Sequence, residues 1–401
     1  MTLSLCELQC LKGPRPISVS QICRGRPVNE ADNGPHFPAL SPISLHLRSG
    51  DGGGSATPSL LLPPERASGR REGAGGGMRA TSAPRRSRDT PRPIGPFSDY
   101  EGNPILTPTS GFEAKAVYNP AVVVVDGVLY MLYRAEAGDE CTGRIGLAKS
   151  QDGIHFIRHP EPVIVPEYDY EAGGCEDPRL IRIGDTFYLT YVGCPGKGQG
   201  CHICLATSED LVHWEKHGPI LRPVHPWASH QAKAGAILAG ATGWSPLPHG
   251  KYVMYFMGEA RPWETAIGIA CSDDLLHWHE PLDEPVLRPR PGYFDSKGVE
   301  PGPPPVLVDE GILLVYCGWG EDHTYKPGWA LFSREQPHEV LARCEKPILE
   351  PAVNWGERFG CTNHVVAESL LWHDGRWWLY YGAADRVVCL AIEKPQRTQR
   401  R

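Results

Sequence analysis

Long apolar runs are missing from this 401-residue chain. No stretch approaches the roughly 18 consecutive apolar residues expected of a membrane-spanning helix. The N-terminal region also lacks the apolar core of a secretory signal peptide. We therefore expect no membrane partner and predict a cytoplasmic location.

A regular cysteine framework is missing as well. The 13 cysteines are an odd number without regular spacing, which favours a reducing setting. A lone C-x-x-C motif at residues 201–204 has no second pair at zinc-ribbon spacing and lies in a strand-like run. We therefore predict no metal site and no cofactor.

Clustered positive charge is absent from most of the chain. The formal net charge is −7, and much of the arginine lies before residue 97, so the remainder is more acidic still. Contacts to nucleic-acid phosphates require clustered cations. This argues against nucleic acid as the main partner.

Glycine and proline, by contrast, are abundant, with 45 and 40 residues. Many lie in residues 1–96, in clusters with serine and arginine and few aromatics. Such a segment cannot bury enough apolar surface to offset its ordering entropy. We predict a disordered leader over residues 1–96, a folded domain over 97–394 and a basic tail over 395–401.

Helical periodicity is also lacking, and a strand-like motif recurs in its place. Apolar and aromatic runs occur at residues 129–134, 187–192, 252–257, 313–318 and 377–382. Each follows a turn such as VDGV or HDGR, which is typical of tight hairpins. All-β units repeated five times predict a five-bladed β-propeller with a disordered N-terminal extension.

Two further patterns belong to this scaffold. Residues 150–156, 208–214 and 272–278 share the pattern Ser-x-Asp-x-x-His-aromatic, which we interpret as a structural corner rather than a chemical site. A propeller closes when an N-terminal strand completes the last blade, and residues 103–108 are our candidate for that strand.

The chemistry of a propeller is expected where its copies differ, at the axial funnel. The segment before each motif should form an innermost strand, so its polar side chains should meet at the axis. These side chains are Asn119, Asp177, Arg179, Lys233, Glu300, Asn363 and His364. A ring of carboxylates, cations and amides suits a hydroxyl-rich substrate, and a funnel aromatic such as Trp263 could stack on a sugar.

Asp177, in the stretch CEDPR, is the natural general acid for a glycosidic oxygen. Arg179 beside it is predicted to bind substrate or to orient the site. Pro178 fixes the backbone so that both neighbours project inward.

Residues from about 100 to 394 resemble glycoside hydrolase family 130, whose members are five-bladed propellers acting on β-mannosides. The stretches that carry the resemblance include YNPAVVVVDGVLYMLYRAE, CEDPRL, GVEPGPPPV and LYYGAAD. The resemblance implies that Asp177 is the proton donor, acting through a hydroxyl of the bound mannose. It also implies that Asp385 holds this mannose.

Further binding residues follow from the same resemblance. Asn119 and Arg134 match polar residues of the donor and phosphate region, and Lys233 matches the phosphate-binding lysine. Glu176 and His364 complete the predicted set of substrate-binding residues.

Some residues depart from the pattern of the family's phosphorylases. Ala234 follows Lys233 where those enzymes usually carry Asp, and Cys317 stands where they usually place a phosphate-contacting His. Glu259 and Glu300 are predicted near the funnel, where carboxylates would repel phosphate and could activate water.

We therefore predict inverting hydrolysis of β-mannosidic bonds in manno-oligosaccharides, with Asp177 as acid and Glu300 or Glu259 as base. One alternative is a β-mannoside phosphorylase, a glycosyltransferase-type activity with inorganic phosphate as co-substrate and mannose 1-phosphate as product. The other is a sugar-binding propeller without catalysis. The linkage and the oligomeric state are left open by the sequence.

Overall fold

The computed structural model describes residues 93–238, 252–351 and 353–395. Residues 1–92 of the predicted leader and 396–401 of the predicted tail lie outside the described residues, so the predicted domain boundaries stay predictions. Within the described part, no helix combines the length and apolarity that crossing a membrane would require.

The described chain is almost entirely β-structure, with a single short α-helix. The strands, in chain order, are β1 (Phe97–Asp99), β2 (Ala116–Val125), β3 (Val128–Glu136), β4 (Arg144–Ser150), β5 (Ile157–Arg158), β6 (Gly174–Ile183), β7 (Thr186–Cys194), β8 (His202–Ser208), β9 (Glu215–Leu221), β10 (Gln231–Ile237), β11 (Tyr252–Arg261), β12 (Glu264–Ser272), β13 (Gly298–Pro301), β14 (Val306–Val308), β15 (Gly311–Trp319), β16 (Lys326–Phe332), β17 (Val340–Arg343), β18 (Val365–His373), β19 (Arg376–Ala383) and β20 (Val387–Glu393). Helix α1 spans Trp355–Phe359, between β17 and β18.

These strands form five antiparallel sheets, one for each blade. Blade 1 contains β2 to β5, blade 2 contains β6 to β9, and blade 3 contains β10 to β12. Blade 4 contains β13 to β17, and blade 5 contains β18 to β20 together with β1. The first strands of blades 5, 1, 2, 3 and 4 pack against one another in that order, and β18 of blade 5 packs on β15 and β16 of blade 4. The predicted all-β, five-bladed propeller is confirmed.

Asp-Gly pairs make the hairpins between the first and second strands of blades 1 and 5. Asp126 and Gly127 have φ values of 50° and 81°, and Asp374 and Gly375 have φ values of 49° and 74°. Two consecutive left-handed residues give a tight turn whose twist matches that of paired strands. The turn signals VDGV and HDGR therefore correspond to real hairpins, whereas the predicted turn at residues 248–251 lies outside the described residues.

The Ser-x-Asp-x-x-His pattern closes the turn after the third strand in blades 1 to 3. In blade 1, the Oγ atom of Ser150 accepts the N–H of Gly153 at 2.9 Å. The Oδ1 atom of Asp152 accepts the N–H groups of Ile154 and His155 at 2.9 and 2.8 Å. The same bonds recur at Ser208–His213 and Ser272–His277, as expected for a structural corner.

Hydrophobic clusters lie between neighbouring blades and fix their mutual positions. One joins blades 1 and 2 through side chains such as Leu132 and Leu189, and another joins blades 2 and 3 through Leu205 and Phe256. The largest cluster runs through blades 3, 4 and 5. Burial of apolar surface between blades therefore holds the ring together.

The ring closes through residues 97–99, and the prediction that residues 103–108 form the closing strand was wrong. Strand β1 pairs antiparallel with β20, while the predicted segment contributes only an isolated bridge from Leu106 to Val388. Pro104 and Pro108 remove backbone donors from that segment, which makes a continuous ladder unfavourable.

A disulfide links Cys194 at the end of β7 to Cys201 just before β8, with a Cα–Cα distance of 4.5 Å. The cysteine count gave no sign of this pairing. Cys201 is thereby removed from the C-x-x-C motif, and Cys204 is buried in β8. The predicted cytoplasmic location stays a prediction.

A close approach between β13 and β15 positions the first strand of blade 4. A Cβ atom at Gly298 would overlap the indole ring of Trp319, which is fully buried. Only glycine therefore allows this packing, and the strand that carries Glu300 depends on it.

We expect Gly298→Ala to lower the free energy of unfolding by about 1–3 kcal/mol, because the added methyl group overpacks a buried ring. Gly320→Ala is the matched control, since its Cβ would meet no atom closer than 3.6 Å. Urea denaturation of both variants tests this, and equal stabilities would contradict the packing argument.

Candidate active site at the propeller axis

The fourth residue of each blade's first strand marks the axis. These residues are Asn119, Asp177, Ala234, Pro301 and Glu368. The register between the first and second strands shifts at four of these residues, and Pro301 is the exception. Equivalent positions of the repeat thus carry five different side chains, as expected for positions that serve function and not the structure of the repeat.

Three of these shifts coincide with left-handed backbone. The φ values are 49° at Asn119, 49° at Asp177 and 55° at Ala234. Left-handed conformation is uncommon outside glycine, although Asn and Asp tolerate it best. Such strained positions cluster at functional sites, and here they lie beside the axial charges.

Asp177 lies in a buried cluster of charges. Its Oδ1 atom accepts a hydrogen bond from Nδ2 of Asn119 at 2.6 Å and lies 3.2 Å from Nη1 of Arg134. Burial acts to raise the pKa of Asp177, but Arg134 and the Asn119 hydrogen bond outweigh it and hold the pKa below its ordinary value. Asp177 is therefore ionised at neutral pH.

Arg134 connects the axial strands to the loop after β3. Its Nη1 atom donates to Glu176 at 3.1 Å, its Nη2 atom to Glu136 at 3.1 Å and its Nε atom to the carbonyl of Thr142 at 3.0 Å. The guanidinium also lies 4.8 Å from the ring centroid of Tyr118. These contacts fix the orientation of Arg134, so its charge is preorganised.

Arg179 spans the axis from β6. It donates from Nε to the carbonyl of Gly302 at 2.7 Å and from Nη2 to the carbonyl of Pro301 at 2.8 Å. Nη2 also lies 2.9 Å from Oε2 of Glu368, and both side chains are almost fully buried. The geometry therefore favours orientation of the site over direct substrate binding for Arg179.

Glu368 was missed in the sequence. Burial raises its pKa well above the ordinary value, with Arg179 acting in the opposite direction. A carboxylate within the apolar run VVAESLL of an innermost strand was the signal available, because buried carboxyl groups need a partner.

Glu300 faces the same cluster. Burial raises its pKa to about 7, against the lowering effect of Arg179, and the charge of Asp177 adds to the increase. The hydroxyl group of Tyr325 bonds to this carboxyl group, and Tyr325 was another residue that sequence reasoning missed. Glu300 is thus a carboxyl group that exchanges its proton near neutral pH.

Lys233 is the most available cation of the group. Its charge lowers the pKa of both Asp177 and Glu300, so its ammonium group lies near both. Across the described ranges, no hydrogen bond or ion pair engages this half-buried side chain. It could therefore bind an anion without first breaking a bond.

Glu259 is engaged elsewhere. Its Oε1 atom accepts the backbone N–H of Trp263 at 2.7 Å, and its Oε2 atom accepts the side-chain amide of Gln231. The carboxylate therefore supports the turn between β11 and β12. Its predicted role as a base stays a prediction that these bonds do not favour.

His364 and Asp385 form a pair at the blade 5 side. Nε2 of His364 lies 3.8 Å from Asp385, whose other partner is the hydroxyl group of Thr362 at 3.0 Å. Nδ1 of His364 accepts the backbone N–H of Tyr325 at 3.3 Å, which leaves the Nε2 proton for Asp385. Asn363 lies apart, accepting the N–H of Gly356.

The site thus combines a buried, ionised Asp, a second carboxyl group that titrates near neutrality and a half-buried lysine, all at a propeller axis. This arrangement defines a class of protein, an enzyme built for glycosidic chemistry. Residues 95–397 match the family model Glyco_hydro_130, described as β-1,4-mannooligosaccharide phosphorylase. The chain belongs to glycoside hydrolase family 130.

Individual relatives agree with this assignment. A 1,2-β-oligomannan phosphorylase of Thermoanaerobacter sp. (strain X514) is 33% identical over 72% of this chain and 94% of its own. A β-1,2-mannobiose phosphorylase of the same strain is 31% identical over 74% and 96%. A structure from work on family 130 glycoside hydrolases that target β-1,2-mannosidic linkages in Candida mannan matches with a TM-score of 0.64, at 30% identity, over 75% and 94%.

The titration of Glu300 predicts how stability depends on pH. Between pH 4.5 and pH 7 the folded protein keeps a proton that the unfolded chain releases. The stability that this bound proton contributes to the folded protein is fully present below pH 4.5 and is lost as pH rises through 7. The unfolding free energy of the unmodified protein should therefore fall by about 3 kcal/mol relative to Glu300→Gln across this window.

Chemical denaturation at several pH values measures this difference. Glu310→Gln, at an exposed turn, is the control and should follow the unmodified protein. Parallel stability curves for Glu300→Gln and the unmodified protein would show that Glu300 does not titrate in this window.

Proposed function

We propose that this protein is a β-mannoside phosphorylase, which cleaves a mannosidic bond with inorganic phosphate and releases mannose 1-phosphate. The names of the curated relatives support phosphorolysis over the hydrolysis that we predicted from the sequence. The observation that carries the proposal in this chain is Lys233, a half-buried cation beside Asp177 and Glu300 with no bound partner among the described residues.

The electrostatic argument for hydrolysis is weak in this structure. It required two unpaired carboxylates in the position of phosphate. Glu259 is hydrogen-bonded to Trp263 and Gln231, and the pKa of Glu300 is about 7 because the side chain is buried. A carboxyl group that is about half protonated at neutral pH repels an anion much less than a full carboxylate does.

Phosphate also supplies the proton that Asp177 needs to act as an acid. Because the pKa of Asp177 is held low by Arg134 after the opposing effect of burial, this carboxylate must gain a proton before it can act as an acid. The phosphate monoanion carries a proton, and its charge beside Arg134 and Lys233 competes for the cations that keep Asp177 ionised. Proton transfer from phosphate to Asp177, before the sugar separates the two groups, then gives a phosphate dianion and a neutral acid.

The bond-breaking step follows from these charges. An oxygen of the phosphate dianion attacks the anomeric carbon from the face opposite the leaving group. The bond between that carbon and the glycosidic oxygen breaks, and the oxygen receives the proton of Asp177, either directly or through a sugar hydroxyl group. Asp177 returns to the carboxylate, and a single displacement inverts the anomeric configuration.

We propose β-1,2-linked manno-oligosaccharides as the substrate class. The two curated relatives are named for β-1,2-linked substrates, whereas the description of the family model names β-1,4-mannooligosaccharides. The individual relatives share about a third of their residues with this chain and therefore weigh more in this choice.

Hydrolysis remains the second candidate for a specific reason. Glu300 is buried beside Asp177 with a pKa of about 7, a value suited to a general base for water. A similar structure comes from work on hydrolases of the same family.

The proposed function is tested by incubating the full chain with β-1,2-mannobiose and increasing inorganic phosphate. We expect mannose 1-phosphate at a rate that rises and then saturates with phosphate. Ion chromatography separates this product from mannose. Mannose alone, released at a rate independent of phosphate, would favour the hydrolase and reject the phosphorylase.

Lys233→Ala should raise the KM for phosphate roughly 10- to 100-fold, the usual effect of losing a charge-assisted bond. The KM for the mannoside should change less. Lys346→Ala, on an exposed loop, is the control. An equal rise in both KM values would show that Lys233 acts on the whole site and not on phosphate.

A further inference from the structure

The turn between β11 and β12 holds an exposed aromatic ring in an unfavourable conformation. Trp263 is 38% exposed and has a φ of 72°. Left-handed backbone is a genuine outlier for so bulky a residue and persists only when its surroundings enforce it. The Glu259 carboxylate enforces it here by accepting the Trp263 N–H at 2.7 Å.

A second ring meets Trp263 from the neighbouring blade. His323, in the loop between β15 and β16, also has left-handed backbone, with a φ of 52°. The two ring centroids are 4.5 Å apart at an interplanar angle of 47°. Two loops of adjacent blades thus each hold a strained aromatic residue, so that together they form a partly exposed rim.

This rim continues to the axis through stacked rings. Trp263 contacts the buried Trp319 edge-on at 5.9 Å, and Trp319 stacks on Tyr325 at 4.4 Å. The hydroxyl group of Tyr325 bonds to Glu300. Two ring contacts therefore connect the exposed Trp263 to Tyr325, which bonds to the Glu300 carboxyl group of the site.

Packing alone does not account for this arrangement. If Trp263 served only to cover Trp319, neither its strained backbone nor the supporting Glu259 carboxylate would be needed. More than a third of the Trp263 side chain also remains exposed. Trp372 offers a comparison, since it lies 5.2 Å from Trp377 in an ordinary strand without left-handed backbone. Exposed aromatic surface beside convergent polar groups is instead typical of a binding site.

We propose that Trp263 and His323 form a stacking subsite for a sugar of the leaving chain, beyond the bond that is cleaved. This inference rests on the proposed function, in which one mannose leaves as its phosphate and the rest of the oligosaccharide is the leaving chain. An aromatic face beside polar groups matches the apolar face and hydroxyl rim of a pyranose. Trp263 thus selects longer oligosaccharides, and Glu259 is a positioning residue that acts through Trp263.

The test compares substrates of different length. Trp263→Gly removes the ring and places the residue that best suits left-handed backbone, so folding should be retained, and thermal unfolding checks this. We expect the ratio of kcat/KM for β-1,2-mannotetraose to that for β-1,2-mannobiose to fall about tenfold, mainly through KM. Trp263→Phe should retain most of the ratio, and Trp372→Ala should leave it unchanged.

The positioning role of Glu259 is tested in the same assay. Glu259→Ala frees the Trp263 N–H and should lower the ratio, whereas Glu259→Gln keeps an oxygen that can accept this bond and should restore most of it. Equal ratios for Glu259→Ala and the unmodified protein would reject the positioning role.

A binding measurement separates this inference from the proposed reaction. In an Asp177→Asn background, calorimetry measures the Kd of β-1,2-mannotetraose and β-1,2-mannobiose with and without the Trp263→Gly change. Loss of affinity for the tetraose alone supports the subsite, even if no mannose 1-phosphate is ever formed. An equal effect on both lengths, no effect on either, or no binding of either sugar would overturn it.

Discussion

One buried cation, Arg179, joins three of the five blades at the axis. It extends from blade 2 to the backbone carbonyls of Pro301 and Gly302 in blade 4 and to Glu368 in blade 5. Losing one partner of such a buried pair costs about 3–5 kcal/mol, because the other charge is left uncompensated. Asp177 lies two residues earlier on the same strand, so its position depends on the contact that holds the axis.

The balance of charge at the axis follows from burial. Five carboxyl groups surround three cations; they are Glu136, Glu176, Asp177, Glu300 and Glu368, with Arg134, Arg179 and Lys233. Burial raises the pKa of Glu300 to about 7, so part of this negative charge is neutralised by a proton at neutral pH, and the Glu368 carboxylate is paired with Arg179. A sequence shows five acidic side chains, whereas the folded site presents fewer negative charges to a ligand.

Local patterns in the sequence were sufficient for the scaffold and for part of the site. Asp-Gly turns, the Ser-x-Asp corner and five similar strand motifs predicted the propeller, and comparison of its copies brought Asn119, Asp177 and Glu300 together. Long-range geometry was not accessible in this way. The pairing of β1 with β20, the bond from Gln231 to Glu259 and the burial of Glu368 against Arg179 each depend on a partner elsewhere in the chain.

The pairing of β1 with β20 also bears on how the protein is made. The amide of Gly95, just before β1, donates to Glu393 at the end of β20, 298 residues later in the chain. During translation, strand β1 therefore stays unpaired until β20 has been synthesised and nearly the whole domain has left the ribosome. Contacts of such long sequence separation form slowly, so the nascent ring stays open until synthesis is almost complete.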